Sequence, residues 1–470
     1  MMCAHDGNGG RLLKRENPKK SMDFSCRRSH PRDLSCDNRL TKHSSPFLLS
    51  AMSAAFSNFD AFHTEMRNFC AFGSATTVVD KSTATGTITT YINEFWTAKQ
   101  RAAHSLHEVS YRACFKPQLP RFFIERFTRP GDVVYDPFMG RGTTLLEAAL
   151  LGRQPAGCDI NPLSAILCLP RMQAVEMQAI QARLAEIDLQ KKVELREDLL
   201  VFYHPDTLQE VCALREYFLQ REQAGQLDEV DGWIRMVATN RLTGHSAGFF
   251  SVYSLPPNQA VSIASQTRIN AKRQQVPPYR HTKSIIAKKS QSLLKDLTPE
   301  EKQQLRQVHR RAQCLTGSCD NTPALANDSV SLVVTSPPFL DVVQYDQDNW
   351  LRCWFNGIDS KAISIWQLRH AAAWQEAMTG VLRELRRILV PGGIVAFEVG
   401  EVKNGKLLLE DLVVPAALAA GLTPMALMIN AQEFTKTSNC WGIDNASKGT
   451  NTNRIAILQK TRAAEQLSLF

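Results

Sequence analysis

From about residue 95 onward the apolar positions alternate between two rhythms. Short runs dense in β-branched and aromatic residues, such as Val133-Val134-Tyr135 and Leu332-Val333-Val334-Thr335, read as buried strands. Between them apolar residues recur at helical spacing, as in Leu145, Leu146, Ala149 and Leu150. Leu163 to about Gln223 continues that helical spacing with few breakers. Further on, Leu382 to Leu389 reads as helix, Pro391-Gly392-Gly393 as turn, and Ile394 to Val399 as a buried strand. Leu412 to Ile429 is uncharged and long enough to raise the question of a membrane span. Pro415, Gly421 and Pro424 instead divide it into a short helix and a strand, and Asn453 to Gln459 reads as the closing strand. The pattern is that of an α/β protein without a transmembrane helix.

The most informative stretch runs from Val133 to Asn161. A strand ends at Asp136, Gly140 and Gly142 supply a sharp turn, and Thr143 or Thr144 caps a helix that Gly152 terminates. The next strand delivers Asp159, about twenty residues past the glycines. In a βαβ unit that acid stands at the carboxyl end of the second strand, where it can accept hydrogen bonds from a ribose diol. A third glycine and a Gly-Lys-Ser/Thr sequence are both missing, so the expected ligand is a nucleoside without a polyphosphate.

These residues carry a resemblance. Asp136-Pro137-Phe138-Met139-Gly140-Arg141-Gly142-Thr143-Thr144 resembles the cofactor motif of the DNA amino-methyltransferases, and Ser336-Pro337-Pro338-Phe339 is similar to their catalytic motif. The resemblance covers roughly Phe95 to Lys460. It implies a Rossmann-like α/β methyltransferase fold with a seven-stranded, mostly parallel sheet, and S-adenosyl-L-methionine as cofactor. It also implies methyl transfer to the exocyclic amine of a flipped base, and serine at 336 points to cytosine N4, with adenine N6 the alternative. An RNA base methyltransferase and a non-catalytic DNA-binding relative are the more distant readings.

The implied catalytic residues are Ser336, Pro337, Pro338 and Phe339. The implied cofactor residues are Phe115, Pro117, Asp136, Pro137, Phe138, Gly140, Gly142, Thr143, Thr144, Asp159, Ile160 and Asn161. Where the family commonly has Gly-Asp before the catalytic strand, this chain reads Gly317-Ser318-Cys319-Asp320, and either Ser318 or Asp320 takes the acid's place. Exocyclic amines are poor nucleophiles because their lone pair is delocalised. Acceptors at Ser336 and Pro337 would localise that pair, and Phe339 would stack on the base.

Charge refines this picture. The net charge is +9, and a large part of the excess lies between Gly232 and Gln313, where Arg268, Lys272, Arg273, Arg280 and Lys283 are interleaved with Tyr279 and His281. That mixture suits phosphate neutralisation combined with base contacts, so double-stranded DNA is the expected partner. A solvated helix face is an equal account of Thr298 to Arg311. Residues 1–90 begin with basic, Ser- and Asn-rich sequence and read as a disordered segment.

The expected organisation is therefore 1–90 disordered, 91–231 cofactor half with a helical extension, 232–313 recognition insertion, 314–460 catalytic half and 461–470 tail. Twelve cysteines without Cys-x-x-Cys or Cys/His ligand spacing suggest neither a zinc site nor a disulfide framework, and no metal is expected. A cytoplasmic, nucleoid-associated location follows from this reading. Oligomeric state and the existence of a separate restriction endonuclease partner stay open.

Overall fold

The computed structural model describes residues 59–83, 85–97, 103–111, 114–254, 260–338, 340, 345–366, 368, 370–402, 407–431 and 452–461. The described chain begins with helix α1 (Phe59–Asn68) and the hairpin β1 (Thr77–Thr83) and β2 (Gly86–Asn93). A strap holding one 3-10 turn (Ser105–His107) leads to α2 (Gln118–Phe127), β3 (Val133–Asp136), α3 (Thr143–Leu150) and β4 (Gln154–Asp159). Seven helices follow: α4 (Leu163–Cys168), α5 (Met177–Glu186), α6 (Pro205–Gln223), α7 (Glu229–Arg241), α8 (Ile263–Arg273), α9 (Thr282–Leu294) and α10 (Pro299–His309). The chain then forms β5 (Gln313–Thr316), β6 (Val330–Thr335), α11 (Tyr345–Phe355), α12 (Ala371–Ile388) and β7 (Leu389–Val399). It ends with the short pair β8 (Glu401–Val402) and β9 (Leu407–Leu408), then α13 (Glu410–Ala419), β10 (Thr423–Ala431) and β11 (Thr452–Gln459).

The strand order is β1-β2-β10-β11-β7-β6-β3-β4-β5. Strands β5, β4, β3, β6 and β7 run parallel, and β11 is antiparallel to both β7 and β10. This is a Rossmann-like sheet in which the chain works outward from β3 through β4 to β5, then returns to β6 on the other side of β3. The reversal leaves a crevice beyond the carboxyl ends of β3 and β6, the usual place for a ligand in such sheets.

Among the described residues the main sheet has nine strands where seven were expected, because β2 adds to β10 in parallel and β1 pairs with β2. The added hairpin and α1 fall in the stretch 59–90 that was expected to be disordered. Phe59, Phe62, Met66 and Tyr91 bury with α2 aromatics on one sheet face, and that burial offsets the ordering cost. Residues 1–58 lie outside the described residues, as does most of the expected tail.

The opposite sheet face is covered by α12 and α13, with Tyr135, Val333 and Phe397 packed against Trp374, Met378 and Leu385. A third core holds the helices between β4 and β5 together, with Trp233, Phe218 and Phe250 inside it. The expected boundary at residue 232 therefore falls within one helical body. Its last member, α10, returns to the sheet, where Gln304 donates to the Ala149 and Leu150 carbonyls at the end of α3. No helix among the described residues is long and apolar enough to cross a membrane.

Candidate active site

The Gly turn after β3 is shaped by two left-handed residues, Gly140 (φ +49°) and Gly142 (φ +74°). Gly142, rather than either threonine, is the N-cap of α3. A Cβ on Gly142 would collide with the Cys168 sulfur, so here glycine is required by space as well as by conformation. The side chain of Arg141 turns inward and donates to the His107 and Val109 carbonyls, tying the 103–111 strap to the turn. Beneath it, His107 Nε2 lies 2.7 Å from Glu147 Oε1. Burial pushes this imidazole down to about 4, so it is neutral near pH 7 and serves the scaffold.

Asp159 closes the turn from the neighbouring strand. Its Oδ2 accepts from the Gly140 N–H at 2.9 Å and its Oδ1 from the Asn161 N–H at 2.9 Å. Asp136 is buried, and its Oδ1 accepts from the Phe138 N–H and from the Thr335 hydroxyl at 2.6 Å. The second bond joins the ends of β3 and β6. Burial raises Asp136 to about 7, the hydrogen bonds opposing it.

Beyond Thr335, the Ser336 hydroxyl donates to Glu398 on β7, whose other partner is Asn453 Nδ2 at 2.8 Å. Glu398 is buried, and desolvation holds its carboxyl above the ordinary carboxylate range. The Pro338 carbonyl accepts from Trp374 Nε1 at 2.9 Å.

A cavity of about 250 Å³ opens over these two strand ends. Of the residues expected to hold cofactor or substrate, Phe115, Asp136, Pro137, Phe138, Gly140, Thr143, Asp159, Ile160, Asn161, Ser318, Ser336 and Pro338 line it. Gly142 and Thr144 support it from below, and Thr144 donates to the Val334 carbonyl. Pro117 is buried at the start of α2, away from the lining. Between Ser318 and Asp320, Ser318 reaches the cavity while Asp320 is exposed and accepts from the Ser318 hydroxyl. Pro337 is buried beside the cavity, and Phe339 lies outside the described residues.

Sequence reasoning missed Tyr111, Ser364, Ile365 and Trp366 in the lining, as well as Glu398 and Trp374 behind it. Glu398 did leave a signal, an acid inside the apolar run Ile394 to Val399. Trp350 and Trp354, on the helix that follows the Ser336 loop, pack against the helical core. No group of His, Cys, Asp and Glu among the described residues could hold a metal ion.

The arrangement suits a nucleoside with an apolar substituent. It offers one carboxylate at the end of β4, the side chain of Ile160 beside it, aromatic walls at Phe138 and Tyr111, and a left-handed Gly140 with no side chain of its own.

Comparison with known proteins agrees with the geometry. Residues 72–165, which hold the Gly turn and Asp159, match the family model described as DNA methylase. That stretch of the chain is therefore similar to the DNA methylase family. The type II methyltransferase M.MjaII of Methanocaldococcus jannaschii is 32% identical over 101 residues, 22% of this chain and 18% of that protein. The type II methyltransferase M.MvaI of Kocuria varians is 30% identical over 117 residues, 24% of each chain. A tRNA (guanine(10)-N2)-dimethyltransferase of M. jannaschii is 36% identical over 63 residues, 13% of this chain and 18% of that one. The alignments thus span less than a quarter of these relatives' lengths. S-adenosyl-L-methionine is the cofactor of the methylase family, and the cavity's donor set fits it.

Proposed function

We propose that this methylase transfers a methyl group from S-adenosyl-L-methionine to the exocyclic amine of a base in double-stranded DNA, with cytosine N4 as the target. The observation that carries the reading is the shared cavity. Gly140 and Asp159 on one side and Ser336 and Pro338 on the other line a single opening at the reversal point of the sheet.

In this reading Asp159 receives the ribose hydroxyls, Ile160 and Ser318 the adenine, and Tyr111 and Phe115 cover the methionine end. The bound cofactor supplies an electrophilic methyl group on a sulfonium. The protein's part is to hold the base amine in line and remove its proton. Ser336 gives its own proton towards Glu398, leaving its oxygen lone pairs to accept an amine N–H. Glu398, a carboxylate made more basic by burial, can take the Ser336 proton as Ser336 takes the proton lost by the methylated amine. The Pro337 carbonyl is the second acceptor, since the Pro338 carbonyl is occupied by Trp374. Proline's fixed φ keeps both positions pre-organised. Alignment of amine and methyl contributes on the order of 7 to 11 kcal/mol.

Transfer of labelled methyl groups to duplex DNA of mixed sequence, followed by nucleoside analysis, tests this reading. N4-methylcytosine is expected, and its loss in Ser336→Ala ties it to the site. N6-methyladenine would overturn the target base alone. Label entering tRNA and sparing DNA would replace DNA by RNA as substrate, and no transfer to either would remove the activity.

A further inference from the structure

The recognition body presents one segment unlike the rest of its surface. Between α8 and α9 the chain reads Gln274-Gln275-Val276-Pro277-Pro278-Tyr279, and Val276 is 83% exposed, the most exposed large apolar side chain among the described residues. A single exposed apolar side chain is ordinary, so its setting decides what it means.

This tip is firmly held. At one end the Gln275 amide donates to the Tyr253 carbonyl and to Asn270 Oδ1, and Asn270 donates to the Val201 carbonyl. At the other, the Tyr279 hydroxyl donates to Glu210 at 2.6 Å and the Arg280 N–H to the Thr207 hydroxyl at 2.7 Å. Two prolines stiffen what lies between. A loop so tethered loses little entropy on binding.

The surroundings are cationic. Arg268, Lys272 and Arg273 on α8 are exposed, with Arg273 held over the Tyr253 ring at 3.7 Å. Among the described residues these cations form no ion pair, in contrast to Lys289, Lys302 and Arg306, which pair with Glu108 and Glu176. Cations flanking a rigid apolar wedge match a nucleic-acid groove, where phosphates meet the charges and the wedge meets base edges or a base step.

Position supports the same partner. The start of α8 is fastened beside the helix that leaves the catalytic loop: the Ala260 N–H donates to the Asp348 carbonyl and Trp350 Nε1 to the Val261 carbonyl. From that junction α8 extends eleven residues, about 16 Å, to the loop. Measured along B-DNA, that is about five base steps.

We infer that the 274–279 loop is the sequence-reading element of this methylase, inserting Val276 and the exposed Gln274 into a groove of duplex DNA within about five base pairs of the methylated base. The inference rests on the proposed DNA reading. Gln274 carries both a donor and an acceptor, the pair that matches an adenine edge.

The test uses the full chain with S-adenosyl-L-methionine and a duplex library randomised around the methylated base. Methylated positions are sequenced, and binding is measured against salt. Gln274→Ala with Val276→Gly should relax preference at one or more positions in that window at least tenfold while leaving the salt slope unchanged. Arg268→Ala with Lys272→Ala should weaken binding evenly across sequences and lower the slope by about two. Val276→Asp, which leaves the tethers intact and sets a negative charge against phosphate, should weaken binding at least tenfold; thermal melting verifies folding of each variant. Unchanged preference and affinity in folded Val276 variants would overturn the assignment. A wild-type protein that neither binds nor methylates duplex DNA would instead overturn the DNA reading beneath it.

Discussion

The indole N–H of Trp374 donates to the Pro338 carbonyl over 2.9 Å, so a helix on one face of the sheet fixes the loop at its edge. Trp374 is fully buried among Met378, Leu385 and Phe397, and its ring cannot move without disturbing that core. The bond therefore transmits the rigidity of α12 to the loop that carries Ser336 and Pro337.

Trp374→Phe keeps most of the ring and removes only the donor. An acceptor left without its partner costs about 1 to 3 kcal/mol. If the bond positions the loop, kcat for methyl transfer should fall roughly tenfold, equivalent to about 1.4 kcal/mol, with the KM for cofactor unchanged. A variant that melts earlier but turns over at the wild-type rate would show that the bond serves packing alone.

Glu398→Gln asks whether the buried acid acts on Ser336. Glutamine keeps the size and one acceptor oxygen but cannot take a proton. Wild-type kcat should drop as pH falls through the raised Glu398 pKa, because the protonated acid no longer draws on the Ser336 hydroxyl. The variant should lose roughly ten- to a hundredfold in kcat and lose that acid limb with it. An acid limb that survives the substitution would assign it to another group.

How far the chain could be read depended on whether the information was local. Gly140, Gly142 and Asp159 stand at spacings set by one βαβ unit, and Ser336 follows one apolar strand, so both loops could be found from sequence. That they meet depends on β3 and β6 being neighbours, with Tyr135 opposite Val333 across a separation of about two hundred residues. The hairpin was missed because basic, Ser-rich sequence ahead of it dominated the composition of residues 1–90. Its anchor is β10, far along the chain, where Asn430 Oδ1 accepts from the Phe95 N–H. Trp374 and Glu398 became functional candidates only through contacts that no local pattern encodes. The helical body shows the converse: charge density suggested a boundary at 232, a position that lies inside α7, whose apolar residues share one core with α6 and α9.

Asp136 should make stability depend on pH in the direction opposite to an ordinary ion pair. Its folded value of about 7 lies above the ordinary 3.8, so between these values the native state retains a proton that the unfolded chain releases. Stabilisation from this group is complete below about pH 4 and is lost as pH rises through about 7, with an upper bound of a few kcal/mol. Asp136→Asn, which holds a neutral amide at every pH, should flatten this part of the profile. Urea midpoints at closely spaced pH values for both proteins measure it, and parallel curves would contradict the assignment.

Two glycine substitutions separate backbone strain from steric demand at the Gly turn proposed to hold the cofactor. Gly131 and Gly142 both have positive φ, +92° and +74°, but no atom lies within 4 Å of a Cβ at Gly131 while one at Gly142 meets Cys168. Gly131→Ala should therefore cost only the left-handed penalty, about 1 to 2 kcal/mol, and leave cofactor affinity unchanged. Gly142→Ala adds the collision beneath the turn that carries Gly140 and Arg141, and should weaken cofactor binding at least tenfold by calorimetry. Adding Cys168→Ala removes the sulfur and should return part of that affinity, because the strain remains and the clash is reduced. If Gly142→Ala binds cofactor as well as Gly131→Ala does, the turn does not cradle the cofactor and the assignment of this cavity fails at its centre.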